Sequence, residues 1–283
     1  MAAALIGALA PDLDAVARLW DPMAAITVHR TVTHSILGGA IVALVAAGLV
    51  WAFSRENFLR LITVAYLGVM SHIGLDLLTP FGTAFLWPLS DRRFSLELHH
   101  VIDPIFSALT LGFLIFTFSS KGSRILFART GLAAIVLYML AATAHQRIAY
   151  SRWQASLGSQ GIRPIRSTVI PLFPGPFRWL GVSETKDAFY QQQVWVYGAP
   201  PAPPRLFSKA AADPGLIEEE REVQLFLRFA RFPWRQVRTE GSFRVVEYHE
   251  LAFADHPLGG RLSLRLWMDD FGTVRKVEFG HRF

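Results

Sequence analysis

The chain has 283 residues, a net charge of +6, a hydrophobic fraction of 52% and no cysteine. Without cysteine there are no disulfides or thiolate sites, so a metal has to be held by histidine, carboxylate and water. The basic balance comes without tandem Lys/Arg runs interleaved with aromatics, so no nucleic-acid partner is expected and membrane lipids are the simpler attractor.

In chain order, the opening MAAALIGALAPDLD is apolar but too short to span a membrane, and it lacks the basic start of a signal peptide. It reads as a truncated first helix. Residues 35–53 contain no charge at all, and residues 58–78 are also long and apolar enough for a span apart from His72 and Asp76, with Arg60 at the start. The stretch 104–118 is about one turn short of a span, and 127–144 fits one, with Arg129 near its start. Four spans are predicted. The connections at 54–60 and 119–129 are short and basic, with Arg55, Arg60, Lys121, Arg124 and Arg129. The positive-inside rule places both in the cytoplasm. Segments 11–34 and 80–103 then share the extracytoplasmic face with everything after about residue 148. Opposing basic residues are Arg18, Arg30, Arg92 and Arg93.

From Gln146 the texture changes. Proline clusters at 171–176 and 200–204 suit turns and extended linkers. Residues 214–232 read as one amphipathic helix. Residues 243–250, 262–268 and 273–279 alternate apolar and polar with β-branched and aromatic types, which predicts strands. Asp269-Asp270-Phe271-Gly272 suits a hairpin connection. The expected fold is mostly α: a polytopic membrane helical bundle over 1–148, then a small soluble α+β domain over 149–283.

Four polar clusters fall on one predicted side: Asp12 with Asp14, His29 with His34, His72 with Asp76, and His99-His100 with Asp103. Each has an ordinary reading. Pro-Asp-x-Asp is a common helix cap, and His29 and His34 suit an interface. A loop histidine pair is usually solvated, and Asp103-Pro104 makes a good helix start. His72 and Asp76 are different, because they share one helical face inside an apolar run. An imidazole and a carboxylate at that depth need compensation, and a divalent metal compensates both. Arg30, Arg92 and Arg93 are candidate anion clamps, with interfacial snorkelling as the alternative. Trp51, Trp87 and Tyr138 suit an interface or a core.

At these residues the chain resembles the YdjM-type family of bacterial inner-membrane proteins, described as LexA-regulated or membrane-bound metal-dependent hydrolases. The resemblance rests on Pro11-Asp12-Leu13-Asp14, on His29-Arg30-Thr31-Val32-Thr33-His34-Ser35, and on Ser71-His72 with Asp76, Thr79 and Gly82. Trp87-Pro88 follows, and Asp103 matches a further acidic position. The match covers roughly residues 5–145, and the chain begins downstream of the family's early Thr-His. A more distant similarity links His72, Asp76 and the following Thr-Pro to zinc-dependent phospholipase C, with Gly82 where that motif's last histidine would stand.

The resemblance implies a divalent metal, zinc by the donor types, held among Asp12, Asp14, His29, His34, His72, Asp76 and Asp103, with His99 and His100 in reserve. Arg30 is expected to orient substrate or to stabilise developing negative charge. The implied reaction is hydrolysis of a phosphoester or phospholipid-like substrate. The rival is a non-catalytic metal transporter or envelope stress protein. A conduit would want acidic or His residues deep in several spans, and the third and fourth predicted spans hold none before His145.

Overall fold

The computed structural model describes all residues except 121, 199–201, 210–214, 254–261 and 281–283. Lys121, Pro214 and part of the 200–204 proline cluster therefore lie outside the described residues. The chain divides into two compact units, Met1–Leu96 with Glu219–Phe229, and Glu97–Glu218 with Ala230–Phe283.

The first unit opens with the short helix α1 (Ala2–Leu9), a 3-10 helix (Ala10–Leu19) started by Pro11, and the single turn α2 (Ala24–Thr27). α3 (Ile36–Ser54) begins at Ser35, whose Oγ accepts from the Gly38 amide at 2.9 Å. α4 (Phe58–Leu77) begins at Asn57, whose side chain accepts from the Arg60 amide at 3.0 Å. Ala3, Ala43, Ala46, Ala47, Ala65 and Val69 form the packed seam of α1, α3 and α4. Small residues suit helices that cannot draw on a hydrophobic driving force between them in lipid. At Gly68 the α1 backbone comes so close that an added methyl would run into the Ala4 carbonyl. α7 (Arg221–Phe229) also belongs to this unit; its Phe229 ring packs on Phe81 with centroids 5.0 Å apart.

The second unit contains α5 (Pro104–Ser119), capped by Asp103, and the 36-residue α6 (Arg124–Ser159). Two four-stranded antiparallel meanders follow: β1 (Arg166–Pro171), β2 (Arg178–Glu184), β3 (Ala188–Trp195) and β4 (Arg205–Ser208), then β5 (Pro233–Glu240), β6 (Phe243–Glu250), β7 (Ser263–Met268) and β8 (Val274–Gly280). Ala149, Trp153 and Leu157 of α6 pack on Val169, Trp179 and Val194 of the first sheet. The other face of that sheet, with Ile170, Leu180 and Val182, packs on Phe232 and Leu251.

α3, α4 and α6 are long and apolar enough to cross a membrane. α5, the remaining predicted span, is an apolar helix of 16 residues, about 24 Å long. Mostly α becomes about half helical, because β1 to β4 form a first sheet that was not expected; the proline cluster at 171–176 runs from the end of β1 into the connection to β2, where turns were expected. α6 runs without a break through residue 148, the expected domain boundary. The single helix expected over 214–232 is a 3-10 turn (Gly215–Glu219) followed by α7. Pro233 biases Phe232 toward extended backbone, which suits β5 beginning there.

Candidate metal centre

The 3-10 helix places Asp12 and Asp14, the turn after α2 carries His29 and Arg30, and the cap of α3 brings in His34. The last two turns of α4 supply His72 and Asp76. These residues, up to 64 positions apart in the sequence, converge within the first unit.

Four atoms define the centre. His34 Nε2 lies 3.2 Å from His72 Nε2, 3.3 Å from Asp12 Oδ1 and 3.4 Å from Asp76 Oδ2. His72 Nε2 lies 3.4 Å from Asp12 Oδ1 and 3.5 Å from Asp76 Oδ2. Ligand atoms arranged tetrahedrally around zinc, with bonds of about 2.0–2.1 Å, stand about 3.3–3.4 Å apart. Five of the six separations among these atoms are close to that edge length, and His34, His72 and Asp76 each offer a ligand atom within 4.8 Å of the others. Asp76 Oδ2 is buried and makes no well-formed hydrogen bond among the described residues; the two imidazole Nε2 atoms at 3.4 and 3.5 Å are its close polar neighbours. The residues therefore fit a divalent cation. A second group, one ligand atom each from Asp12, His29 and His34 within 4.8 Å of one another, shares two of these side chains.

Around the four atoms lies a supporting layer. Asp14 Oδ1 is 2.7 Å from His29 Nδ1, and its Oδ2 accepts from Thr33 Oγ1 at 2.7 Å and lies 3.2 Å from His34 Nδ1. Arg30 is buried and held at φ +60°, a conformation uncommon outside glycine. Its guanidinium donates to Thr79 Oγ1 at 2.5 Å and pairs with Asp76 Oδ1 at 2.9 Å, leaving Asp76 Oδ2 toward the histidines. Arg93 donates to the carbonyls of Ile26 and His29 at 2.9 Å each, so it braces the turn that carries His29. Arg92 stacks over Phe94.

The imidazoles of His34 and His72 hold the Asp12 carboxyl well below the usual carboxylate range. Burial works against ionisation of Asp14, but hydrogen bonds with His29, His34 and Thr33 outweigh it and lower its pKa too. His34 has the opposite balance: burial disfavours its charge, and Asp12 and Asp14 overcome this and raise it. Burial lowers Arg30, against the pull of Asp76, and brings Arg93 down to about 10.

Of the expected ligands, Asp12, Asp14, His29, His34, His72 and Asp76 are gathered here. Asp103 belongs to the second unit, where its Oδ1 accepts from the amides of Ile105 and Phe106 at 2.9 and 3.0 Å and its Oδ2 accepts from the Tyr138 hydroxyl. His99, also in that unit, stacks on Phe106, with its Nδ1 2.7 Å from the His100 carbonyl. The sequence reading assigned no role to Thr33 or Thr79. Both stand inside the motifs, and their proximity to His34 and Asp76 was the available signal.

The fold and this cluster define a membrane-associated helical protein with a His/Asp centre able to hold a divalent ion. The chain belongs to the YdjM inner membrane protein family, whose model matches residues 1–149. It is also 31% identical over 105 residues to the Bacillus subtilis (strain 168) protein described as "Uncharacterized protein YfhP"; the match covers 37% of this chain and 32% of that protein. The chain thus spans about a third of the length of this curated relative. No solved structure matches it.

Proposed function

We propose that this protein is a multi-pass inner-membrane hydrolase that uses a divalent metal, zinc by its donor set, to cleave a phosphoester or phospholipid-like substrate at the periplasmic membrane surface. The convergence of His34 Nε2, His72 Nε2 and Asp76 Oδ2, with Asp12 Oδ1 beside both imidazoles, carries this reading, since three protein ligands leave a position for water. A bound divalent ion at such a centre acidifies water to a nucleophile near neutral pH and polarises the scissile ester.

The protein's own groups prepare the site. Asp14 and Thr33 fix the orientation of His29 and His34, and Arg30 turns the Asp76 carboxylate so that one oxygen faces the histidines. The Asp12 side chain is 57% exposed, the most open of the four, and marks the side from which substrate and water enter. His72 stands five residues before the end of α4, about 7–8 Å along its axis, which suits a substrate held at a bilayer surface. Asp103 remains a ligand candidate by its motif position alone.

Metal analysis of the detergent-purified full chain, with turnover of a chromogenic phosphodiester, tests the reading. Wild type should retain a divalent ion and hydrolyse the diester, whereas His72→Ala and Asp76→Ala should lose most of the metal and the activity. Equal metal in all three proteins would overturn the site. Retained metal without hydrolysis of any phosphoester would favour the non-catalytic alternative.

A further inference from the structure

α6 and the first sheet lie in one compact unit, so positions along the helix calibrate the height of the sheet. Between Arg129 and Arg147 the helix carries 17 uncharged residues, about 26 Å of apolar rod. Only 11% of its apolar window is buried inside the fold. A hydrocarbon core of about 30 Å therefore ends close to Arg147.

At that level the sheet reaches back to the helix. His145 Nε2 is hydrogen-bonded to Tyr197 Oη at 2.8 Å, and the His145 ring meets Tyr197 and Phe177 with centroids 5.4 Å away in each case. Seven residues further on, about 10 Å along the axis, Arg152 donates to the Trp195 carbonyl at 2.9 Å. The Arg178 guanidinium lies over the Trp195 ring, 4.8 Å from its centroid. Phe177, Trp195 and Tyr197 are 41%, 45% and 61% exposed although all three are large aromatics.

The headgroup layer is about 5–8 Å thick on each side of the core. Phe177 and Tyr197 start where it starts, and Trp195 with Arg152 and Arg178 sits at its outer margin. Aromatic rings with a polar edge concentrate at this depth, and arginines above them suit lipid phosphates. We propose that the end of the central β2–β3 pair of the first sheet, formed by Phe177, Trp195 and Tyr197 with Arg178, together with Arg152, is seated in the phospholipid headgroup layer of the membrane that α6 crosses. The sheet domain is then a surface-bound body held to the membrane at two points, the helix and this end of the sheet.

The inference rests on the spanning role of α6, and the test separates the two. Because the chain has no cysteine, Phe177→Cys, Tyr197→Cys, Ser159→Cys and Val136→Cys each give a single labelling site. The full chain is labelled with bimane and placed in nanodiscs of phosphatidylethanolamine and phosphatidylglycerol. Nitroxides are carried either on the lipid headgroup or near the end of the acyl chain. Ser159, at the far end of α6 and about 21 Å beyond His145, is the control clear of the membrane.

Labels at 177 and 197 should be quenched several-fold more by the headgroup nitroxide than the label at 159. The label at 136 should respond to the acyl-end nitroxide. Quenching at 136 together with labels at 177 and 197 that behave like 159 would overturn the seating while leaving the span intact. No quenching at 136 would overturn the span and the seating with it.

Discussion

Asp12 and Asp14 are two residues apart yet face opposite nitrogens of the same imidazole. Asp14 Oδ2 lies 3.2 Å from His34 Nδ1, and Asp12 Oδ1 lies 3.3 Å from His34 Nε2. A carboxylate that accepts the Nδ1 proton fixes the tautomer and turns the Nε2 lone pair toward the cluster. Asp14 thus positions a ligand, whereas Asp12 is placed to be one. Asp14→Asn should weaken zinc binding by about 10–100-fold while still filling at excess metal. Asp12→Asn should lose more and lower the occupancy itself. Competition against a chromophoric chelator measures both, and identical losses would erase the distinction. The motif spacing made six of these residues legible as one constellation, because each polar group in apolar sequence demanded a partner. It did not divide their labour. Residue types say what chemistry is available, whereas which oxygen faces which nitrogen is fixed by the turn at Arg30 and the cap at Ser35.

α6 joins the apolar segment to the sheets, and its second half depends on one aromatic contact. Trp153 is fully buried, donates its indole N–H to Ser183 Oγ at 2.8 Å and lies flat on β2 at Gly181. Any side chain at 181 would strike the indole, so Gly181→Val should destabilise the second unit by expelling Trp153. Trp153→Ala should cost about 3–5 kcal/mol through the cavity it leaves. Thermal unfolding followed by the protease sensitivity of the sheets reads both variants, and wild-type resistance in Trp153→Ala would refute the dependence. The stripe Ala149, Trp153, Leu157 has helical i, i+4, i+8 spacing, so this half of α6 was readable in principle. The fall in hydropathy after Gln146 hid it. β6, β7 and β8 begin within a residue of their expected starts, since Gly, Asp and Pro bound their alternating runs. β2 was invisible for a physical reason: it is buried on both faces, by α6 and by the second sheet's flank, so no alternation survives in its sequence.

For the whole molecule, orientation follows from charge and the number of crossings. The connection between α3 and α4 and the first turn of α4 carry Arg55 and Arg60 against Glu56, and α6 begins with Arg124 and Arg129. These basic ends favour the cytoplasm. Arg147 and Arg152, beyond the apolar part of α6, pull the other way, and a headgroup location for Arg152 would use that charge on lipid phosphate. The proposed periplasmic location of the sheets requires α5, with 16 residues, to cross as well as α3, α4 and α6, and local thinning of the bilayer can meet its shortfall. If it crosses, the chain passes outward through α4, inward through α5 and outward again through α6. Because α6 continues to Ser159 and Trp153 is needed to dock the sheets, a reporter belongs after Gly161 and not within the helix. An alkaline phosphatase fusion there should be active, whereas fusions at Asn57 and Gly122 should be inactive and give fluorescence with a cytoplasm-dependent reporter. If α5 instead lies along the surface, Gly122 and Asn57 would report opposite sides. That result would place the start of α6 in the periplasm, reverse the direction in which it crosses, and remove the periplasmic assignment of the sheets.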